Sequence, residues 1–565
     1  MKKIFNLLLK EEKIKFIILQ FFWSLCSLFY SFNVFFYAAF LASLTDSKNI
    51  NFEILKKFEF YLRNFSSDYY LIVSGFIIFL LSLFSNLFYF ILLKKTTFFT
   101  YSISERIQKD ILKNFLFQDF EIFIKEDFSK KTSLIMNDSN RVGSVINSLG
   151  NIGFYFANCF FVILILLYIN FKVTFASFFI LSIFYFLVSY FSQKKLFINS
   201  QIFSNINKLK TQIIINCFQG IREIKIYCFE HYQIDQFKRI SKDLVTSRRS
   251  TRVLSETPRI FIESVFFLFV FLLSVYSFYN SFLQSSILEF ILVFVICLFR
   301  LIPSFQYFYS CLTNLKDAQD SLDKTINQAK EKIINCTVSS VSKKNLFREV
   351  EFRNIVFVHD KKKVLNNVNL KIVSGDKIFI SGKTGSGKST LLDIISGLRK
   401  INSGNILLDN LPINKSLHEE LKISYVPQNS YFINQSIFEN IALGQNLEKI
   451  DFKKIKKITD YLYFDDFLSK KNEDSINKNI GDFGNFLSGG QRQRVALARS
   501  LYFESHLLLL DEATSAIDLD TEKLIIKNLI SNNVEKTIIF ISHNENLREF
   551  FEKIFVLKEG NLSGI

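Results

Sequence analysis

The chain contains seven cysteines and no two of them form a C-x-x-C pair. None of Cys26, Cys159, Cys217, Cys228, Cys297, Cys311 and Cys336 falls in a loop expected on the external side of the membrane. That spacing excludes a disulfide framework and a zinc site, and the cysteines are read as reduced thiols. The sequence also lacks low-complexity runs and internal repeats. No cleavable signal peptide is expected. Lys2 and Lys3 precede apolar residues, but Lys10 to Lys15 interrupt the run, and the apolar stretch that follows is long enough to span a bilayer. Acidic residues are too few to balance the basic ones, 52 against 69, giving a formal charge of +17. In a soluble chain that excess would suggest nucleic acid. Lys, Asn, Ile and Phe are all over-used together here, and membrane proteins gather Lys and Arg in cytoplasmic loops, so no nucleic-acid partner is expected.

What is present is apolar and unevenly spread. Apolar residues make up 49% of the 565. They concentrate before about residue 305, and the remainder reads as soluble α/β. Six stretches reach the roughly 17–25 residues that a spanning helix needs. They are Phe16–Leu44, Tyr69–Leu93, Leu149–Ile169, Val173–Phe191, Phe261–Tyr279 and Ile287–Ile302. The long segments between spans two and three and between spans four and five carry most of the basic residues, whereas Asn280–Ser286 has none. The positive-inside rule then places both termini in the cytoplasm. Ser304–Ile334 reads as a helix leaving the membrane, and a polar linker, Cys336–Lys344, follows. The expected domains are therefore 1–335, membrane-embedded, and 336–565, soluble.

The soluble part carries phosphate chemistry. Strand Lys377–Ser381 runs into Gly382-Lys383-Thr384-Gly385-Ser386-Gly387-Lys388-Ser389-Thr390, with a helix expected over Thr390–Leu398. Strand, glycine loop and helix form the context in which backbone N–H groups wrap phosphates at a helix N-terminus. Lys388 is placed for the β- and γ-phosphates of ATP and Ser389 for Mg²⁺. A second buried-strand run, Leu507–Leu510, ends in Asp511 and Glu512. Asp511 suits the Mg²⁺ site, and Glu512 is placed to polarise an attacking water.

The run Leu487-Ser488-Gly489-Gly490-Gln491 resembles the signature of ATP-binding cassette (ABC) proteins. Other elements resemble the same family in order: Tyr425-Val426-Pro427-Gln428 its glutamine loop, Gly481-Asp482-Phe483-Gly484 the segment before the signature, Ser515-Ala516-Ile517-Asp518 its D-loop, and Ile541-Ser542-His543 its histidine switch. The resemblance implies a six-span α-helical membrane domain fused to an α/β P-loop ATPase, the exporter-type half-transporter. It implies that Gln428 senses Mg²⁺ and water and that His543 contacts the γ-phosphate. It also implies that Ser488 and Gly490 bind the γ-phosphate of a second copy's ATP, hence a homodimer. His359 stands where the family places an aromatic that stacks on adenine, which implies weaker base contact. The coupling helices of such exporters are expected near Asn137–Val142 and Tyr227–Tyr232.

Cargo is less legible. Gly220–Lys225 and Phe299–Phe305 resemble bacterial flippases of lipid-linked oligosaccharides, which implies an amphipathic or lipid-linked substrate moved across the bacterial inner membrane. Arg259 and Arg300 are the cationic candidates for its headgroup, because ionisable residues in a span are functional suspects. The alternatives are that both snorkel or pair with a neighbour such as Glu263, and that the cargo is a peptide, a drug or a generic lipid. No processing-protease domain is expected before the first span, which counts against leader-peptide export. A nucleotide-gated channel that does not turn over would be expected to lose Glu512 or His543, and both are present.

Overall fold

The computed structural model describes residues 2–44, 70–169, 171–279, 284–330, 347–359, 362–413, 417–464 and 479–565. The expected linker at 336–344 and the boundary at 335/336 lie outside them. The chain divides into two units, one of Met1–Gln118 with Ile124–Ile333 and one of Asp119–Phe123 with Ile334–Ile565.

The first unit is helical. In order the chain forms α1 (Lys2–Phe5), α2 (Lys10–Leu44), α3 (Tyr70–Leu116), α4 (Phe120–Lys125, of which 120–123 belong to the second unit), α5 (Phe128–Ser133), α6 (Ser139–Gly150) and α7 (Ile152–Ile169). Then come α8 (Phe171–Gln219), α9 (Ile221–Tyr227), α10 (Glu230–Tyr279), α11 (Gln284–Asp317) and α12 (Gln319–Lys330). A π-helical turn, Leu134–Asp138, joins α5 to α6. The expected spans lie on helices, except that Leu149–Ile169 straddles the break at Asn151 between α6 and α7 and that Tyr69, the start of the second, lies outside the described residues. Among the described residues three stretches, Lys10–Asn33, Ile72–Leu116 and Phe128–Tyr168, are long and apolar enough to cross a membrane. Helices α3, α8 and α10 run well beyond their apolar runs, as long segments on one side of a membrane require. Pro303 sits inside α11 without ending it.

Polar side chains join the helices where no water could replace them. Trp23 Nε1 donates to Thr96 Oγ1 at 2.9 Å, Asn33 Nδ2 to Ser85 Oγ at 2.7 Å, and Asn158 Nδ2 to Ser304 Oγ at 2.8 Å. Gln20 Nε2 donates to Gly150 O at 2.7 Å and its Oε1 accepts from Gly153 N–H at 2.7 Å, pinning α2 to the α6–α7 junction.

The tips of the long loops differ from expectation. Asn137–Val142 is not a tip: Asp138, Ser139 and Val142 are buried where the π-turn feeds α6. The chain breaks earlier, and the short helix there is α4. The second tip is α9, five to six residues before the expected Tyr227–Tyr232, and Cys228 ends it in a left-handed conformation. Tip position depends on where a helix breaks, and helical propensity around 117–128 gives no proline or glycine to mark it.

The second unit is α/β. A four-stranded antiparallel sheet orders β2 (Lys362–Val373), β1 (Glu349–His359), β4 (Ser403–Leu408) and β5 (Leu411–Pro412). A six-stranded sheet orders β10 (Asn561–Gly564), β9 (Lys553–Lys558), β3 (Lys377–Ser381), β8 (Thr537–Ile541), β7 (Leu507–Asp511) and β6 (Ile423–Val426). Strands β3, β6, β7, β8 and β9 are parallel. β3, β7 and β8 are buried throughout, which explains their unbroken apolar runs. Helices α13 (Lys388–Ile395), α14 (Leu417–Glu420), α15 (Ile437–Ile441), α16 (Phe452–Tyr461), α17 (Gly489–Tyr502) and α18 (Leu519–Ser531) complete the unit. The segment Asp119–Phe123 packs within this unit: Asp119 Oδ2 lies 2.8 Å from Lys400 Nζ.

Candidate functional site

The strand order decides the site. β3, β8, β7 and β6 lie side by side and parallel, so their C-terminal ends share one edge. Ligands of open α/β sheets bind at that edge. The glycine loop leaves β3, Ser542 and His543 follow β8, Asp511 and Glu512 end β7, and Gln428 follows β6. Residues more than a hundred positions apart in sequence meet there.

The contacts are short. Glu512 Oε1 lies 3.0 Å from His543 Nε2, and Gln428 Nε2 donates to Glu512 Oε2 at 2.8 Å. Lys388 Nζ donates to the carbonyls of Gly382 (2.7 Å) and Lys383 (3.1 Å) and sits 3.4 Å from His543 Nε2. Glu512 adopts φ +50°, a left-handed conformation costly for a side chain with a Cβ. Its N–H is held by Ile541 O at 3.0 Å, which fixes the carboxylate above the sheet edge.

Electrostatics follow from burial. Asp511 is buried, and desolvation together with Glu512 and Asp393 pushes its pKa up, against a hydrogen bond from Ser389 and the charge of Lys388. Burial pushes the Lys388 ammonium down, against Glu512 and Asp511. Both groups are incompletely compensated, and a bound metal–phosphate pair would compensate both.

The loop fits phosphate. Gly385 and Gly387 have φ +80° and +103°. A Cβ on Gly387 would stand 3.1 Å from Val364 O and from the Val364 and Leu365 side chains, so the loop needs glycine there. Ser386 Oγ is buried with no hydrogen-bond partner, an orphan that an anion could satisfy. The helix after the loop begins at Lys388, two residues before the expected Thr390, and it is shorter, ending at Ile395. Thr390 lies on that helix, and Lys383 and Thr384 lie in the loop itself. Ser389, Asp511 and Gln428 are the oxygen donors available to Mg²⁺. Mg²⁺ uses one or two protein carboxylates and completes its shell with phosphate oxygens and water, so this sparse set suits it.

The signature forms a second anion-ready surface. Ser488 caps α17: its Oγ accepts from Gln491 N–H (3.2 Å), and Gln491 Oε1 accepts from Ser488 N–H (2.9 Å). Gln491 is thus spent on the cap. A Cβ on Gly490 would lie 2.9 Å from Ala516 O, so the helix start packs directly on the D-loop. Among the described residues no hydrogen bond or ion pair joins Ser488–Gln491 to the glycine loop of the same chain. Asp518 caps α18, its Oδ2 accepting from Thr521 N–H at 3.0 Å. His359 is exposed at the end of β1, opposite Lys362 in the hairpin.

Two residues escaped the sequence reading. Gln493 Nε2 donates to the main-chain Glu512 O (3.3 Å) and to Ser515 Oγ (2.9 Å), and its Oε1 accepts from Ala516 N–H (2.7 Å), tying α17 to the backbone of Glu512 and to the D-loop. Buried Glu522 accepts from Thr514 Oγ1 (2.5 Å) and from Asn544 Nδ2 (2.7 Å), joining the D-loop to the residue after His543. Gln493 was visible only as a continuation of the signature, and nothing in the sequence marked Glu522.

A glycine-loop nucleotide fold whose strand edge gathers a Lys, a Ser, two carboxylates, a Gln and a His, fused to a bundle of long apolar helices, defines a membrane protein with a P-loop nucleotide-binding domain. The chain matches the family models for the ABC transporter transmembrane region over residues 16–302 and for the ABC transporter over 365–515, and it belongs to the ABC transporter family. It is similar to the ATP-dependent lipid A-core flippase of Escherichia coli strain K12, 35% identical over 216 residues, which is 38% of this chain and 37% of that one. The flippase of the same description from Pectobacterium atrosepticum is 36% identical over 218 residues, again 38% and 37%. The similarity thus spans well under half the length of these curated relatives. In fold, it superposes on a bacterial Atm1-family ABC exporter with ATP bound, with a TM-score of 0.77 over 99% of this chain and 95% of that one, at 18% identity.

Proposed function

We propose that the protein is an ATP-driven exporter that works as a homodimer and moves an amphipathic glycolipid across the bacterial inner membrane. The observation that carries the ATPase reading is the convergence of Lys388, Asp511, Glu512, Gln428 and His543 at one sheet edge. Glu512 accepts a proton from the attacking water. Gln428 and His543, each within 3.0 Å of its carboxylate, orient it. Lys388 exchanges its loop carbonyls for phosphate oxygens, and bound Mg²⁺ supplies charge neutralisation on the transferring phosphoryl group. His359 stacks on the base. The split between glycine loop and signature supports dimerisation: the capped start of α17 presents Ser488, Gly489 and Gly490 to a second copy's nucleotide, as a helix N-terminus suits an anion.

The glycolipid reading is supported by the relatives' description as lipid A-core flippases. Of the two arginines, Arg259 is paired with Glu263 at 2.7 Å on an exposed face, which favours the snorkelling alternative for it. Arg300 lies over the Tyr30 ring at 5.1 Å, beside a cluster of Tyr30, Tyr89, Phe154 and Tyr155, and is the stronger headgroup ligand. The test is ATPase activity in nanodiscs titrated with lipid A-core and, separately, with a polyprenyl-pyrophosphate glycan. Stimulation by either, lost in Glu512→Gln and blunted in Arg300→Gln, supports the reading. Basal turnover indifferent to both overturns the cargo while leaving the ATPase.

A further inference from the structure

Helices α2 and α3 run antiparallel and are held together by Trp23, which donates to Thr96 and packs against Tyr89 at 5.1 Å. Beside that seam the outer surface is concave. A groove of about 380 Å³ is walled by Ile18, Phe22, Phe88, Ile91 and Phe99, with buried Leu92 as its floor. Two lysines, Lys15 and Lys95, also line it. They stand where the apolar runs of the two helices stop, Lys15 immediately before Phe16 and Lys95 just after Leu93. Both are exposed, and neither has a carboxylate partner among the described residues. Basic neighbours are typical of this level: Lys13 and Lys94 flank the two lysines.

We propose that this groove binds one anionic phospholipid of the leaflet that faces the basic loops, separately from the transported cargo. An apolar groove alone would be ordinary lipid-facing surface. Here the charge makes the difference: two unpaired ammonium groups at the rim match a single phosphate, while the Phe and Ile walls receive an acyl chain lying along the helices. Each basic residue near a bilayer surface favours an anionic headgroup, and each methylene placed against the walls adds apolar contact. Lipid is the occupant rather than a soluble anion because the walls are apolar over the whole length of the groove. The proposal stands on α2 and α3 alone and does not depend on the ATPase or cargo readings.

The experiment is native mass spectrometry of the full-length, delipidated protein titrated with phosphatidylglycerol and with phosphatidylcholine. The wild type should retain one tight phosphatidylglycerol per chain and bind phosphatidylcholine at least tenfold more weakly. Lys15→Gln with Lys95→Gln should weaken that first phosphatidylglycerol by about tenfold or more. Lys15→Arg with Lys95→Arg should restore it, which separates lost charge from lost fold. A diazirine-bearing phosphatidylglycerol should label peptides containing Phe22 and Phe88. Equal affinity for the two lipids, unchanged binding in the Gln variant, displacement of the lipid by glycerol phosphate, or protection of those peptides by a second copy of the chain would each overturn the proposal.

Discussion

Glu512 and His543 face each other across adjacent strand ends, Oε1 to Nε2 at 3.0 Å, although 31 positions separate them in sequence. Gln428 holds the other carboxylate oxygen. Glu512→Gln keeps the shape and removes the base. ATP turnover should fall by about 10²–10⁴-fold, while ATP affinity changes little. Phosphate release and equilibrium nucleotide binding measured on the same preparation check the pair of outcomes.

Asp511 gives a prediction with a sign. Burial raises its pKa in the folded, nucleotide-free protein, so the folded state holds this proton more tightly than the unfolded chain. Its contribution to stability is therefore present below the ordinary carboxylate pKa and lost as pH rises through the raised value. In nucleotide-free protein Asp511→Asn should flatten the pH dependence above about pH 4 and raise the melting temperature at neutral pH. The same variant should lose the extra stabilisation that Mg²⁺ adds to ATP. Thermal unfolding across pH, with and without Mg²⁺ and ATP, reads both effects.

Lys377 is a structural cation. Its ammonium donates to the carbonyls of Gly375 (2.9 Å), Asn533 (3.2 Å), Val534 (3.1 Å) and Lys536, and burial lowers its pKa. The last three lie in the turn between α18 and β8, and Gly375 lies in the turn between β2 and β3. Lys377→Met leaves these part-buried carbonyls without their donor and should cost about 1–3 kcal/mol. Urea unfolding followed by a nucleotide-domain fluorescence probe measures it.

Gly150 closes the α3–α6 contact. A Cβ there would stand 2.8 Å from the Thr96 methyl and 3.0 Å from the Thr100 methyl. Gly150→Val should destabilise the membrane unit by about 1–3 kcal/mol through overpacking. A shift of the first unfolding transition in detergent, with ATP binding intact, would show that the effect is confined to that unit.

Much of this arrangement could be read in the sequence because the informative residues sit where strands stop. Ile378–Ile380 and Leu507–Leu510 are continuous apolar runs, and a run followed by glycines or by Asp-Glu announces a sheet edge. Helix breaks were less legible. The tip helix α4 has no glycine or proline beside it, and α9 is marked only by Gly220 at its start, so the expected tips were displaced. Gln493 and Glu522 were missed for a different reason. Their roles come from contacts across the fold, to Ser515 and Ala516 and to Thr514 and Asn544, which no local spacing encodes.

The most direct measurement is lipid translocation in sealed proteoliposomes. Protein with its nucleotide domains outside is given ATP and a labelled amphipathic glycolipid in the outer leaflet, and loss of that label from the reach of an impermeant quencher is followed. ATP-dependent loss in the wild type, absent in Glu512→Gln and with ADP, is the predicted result. A label distribution that ATP leaves unchanged, in protein that still hydrolyses ATP, would contradict the account.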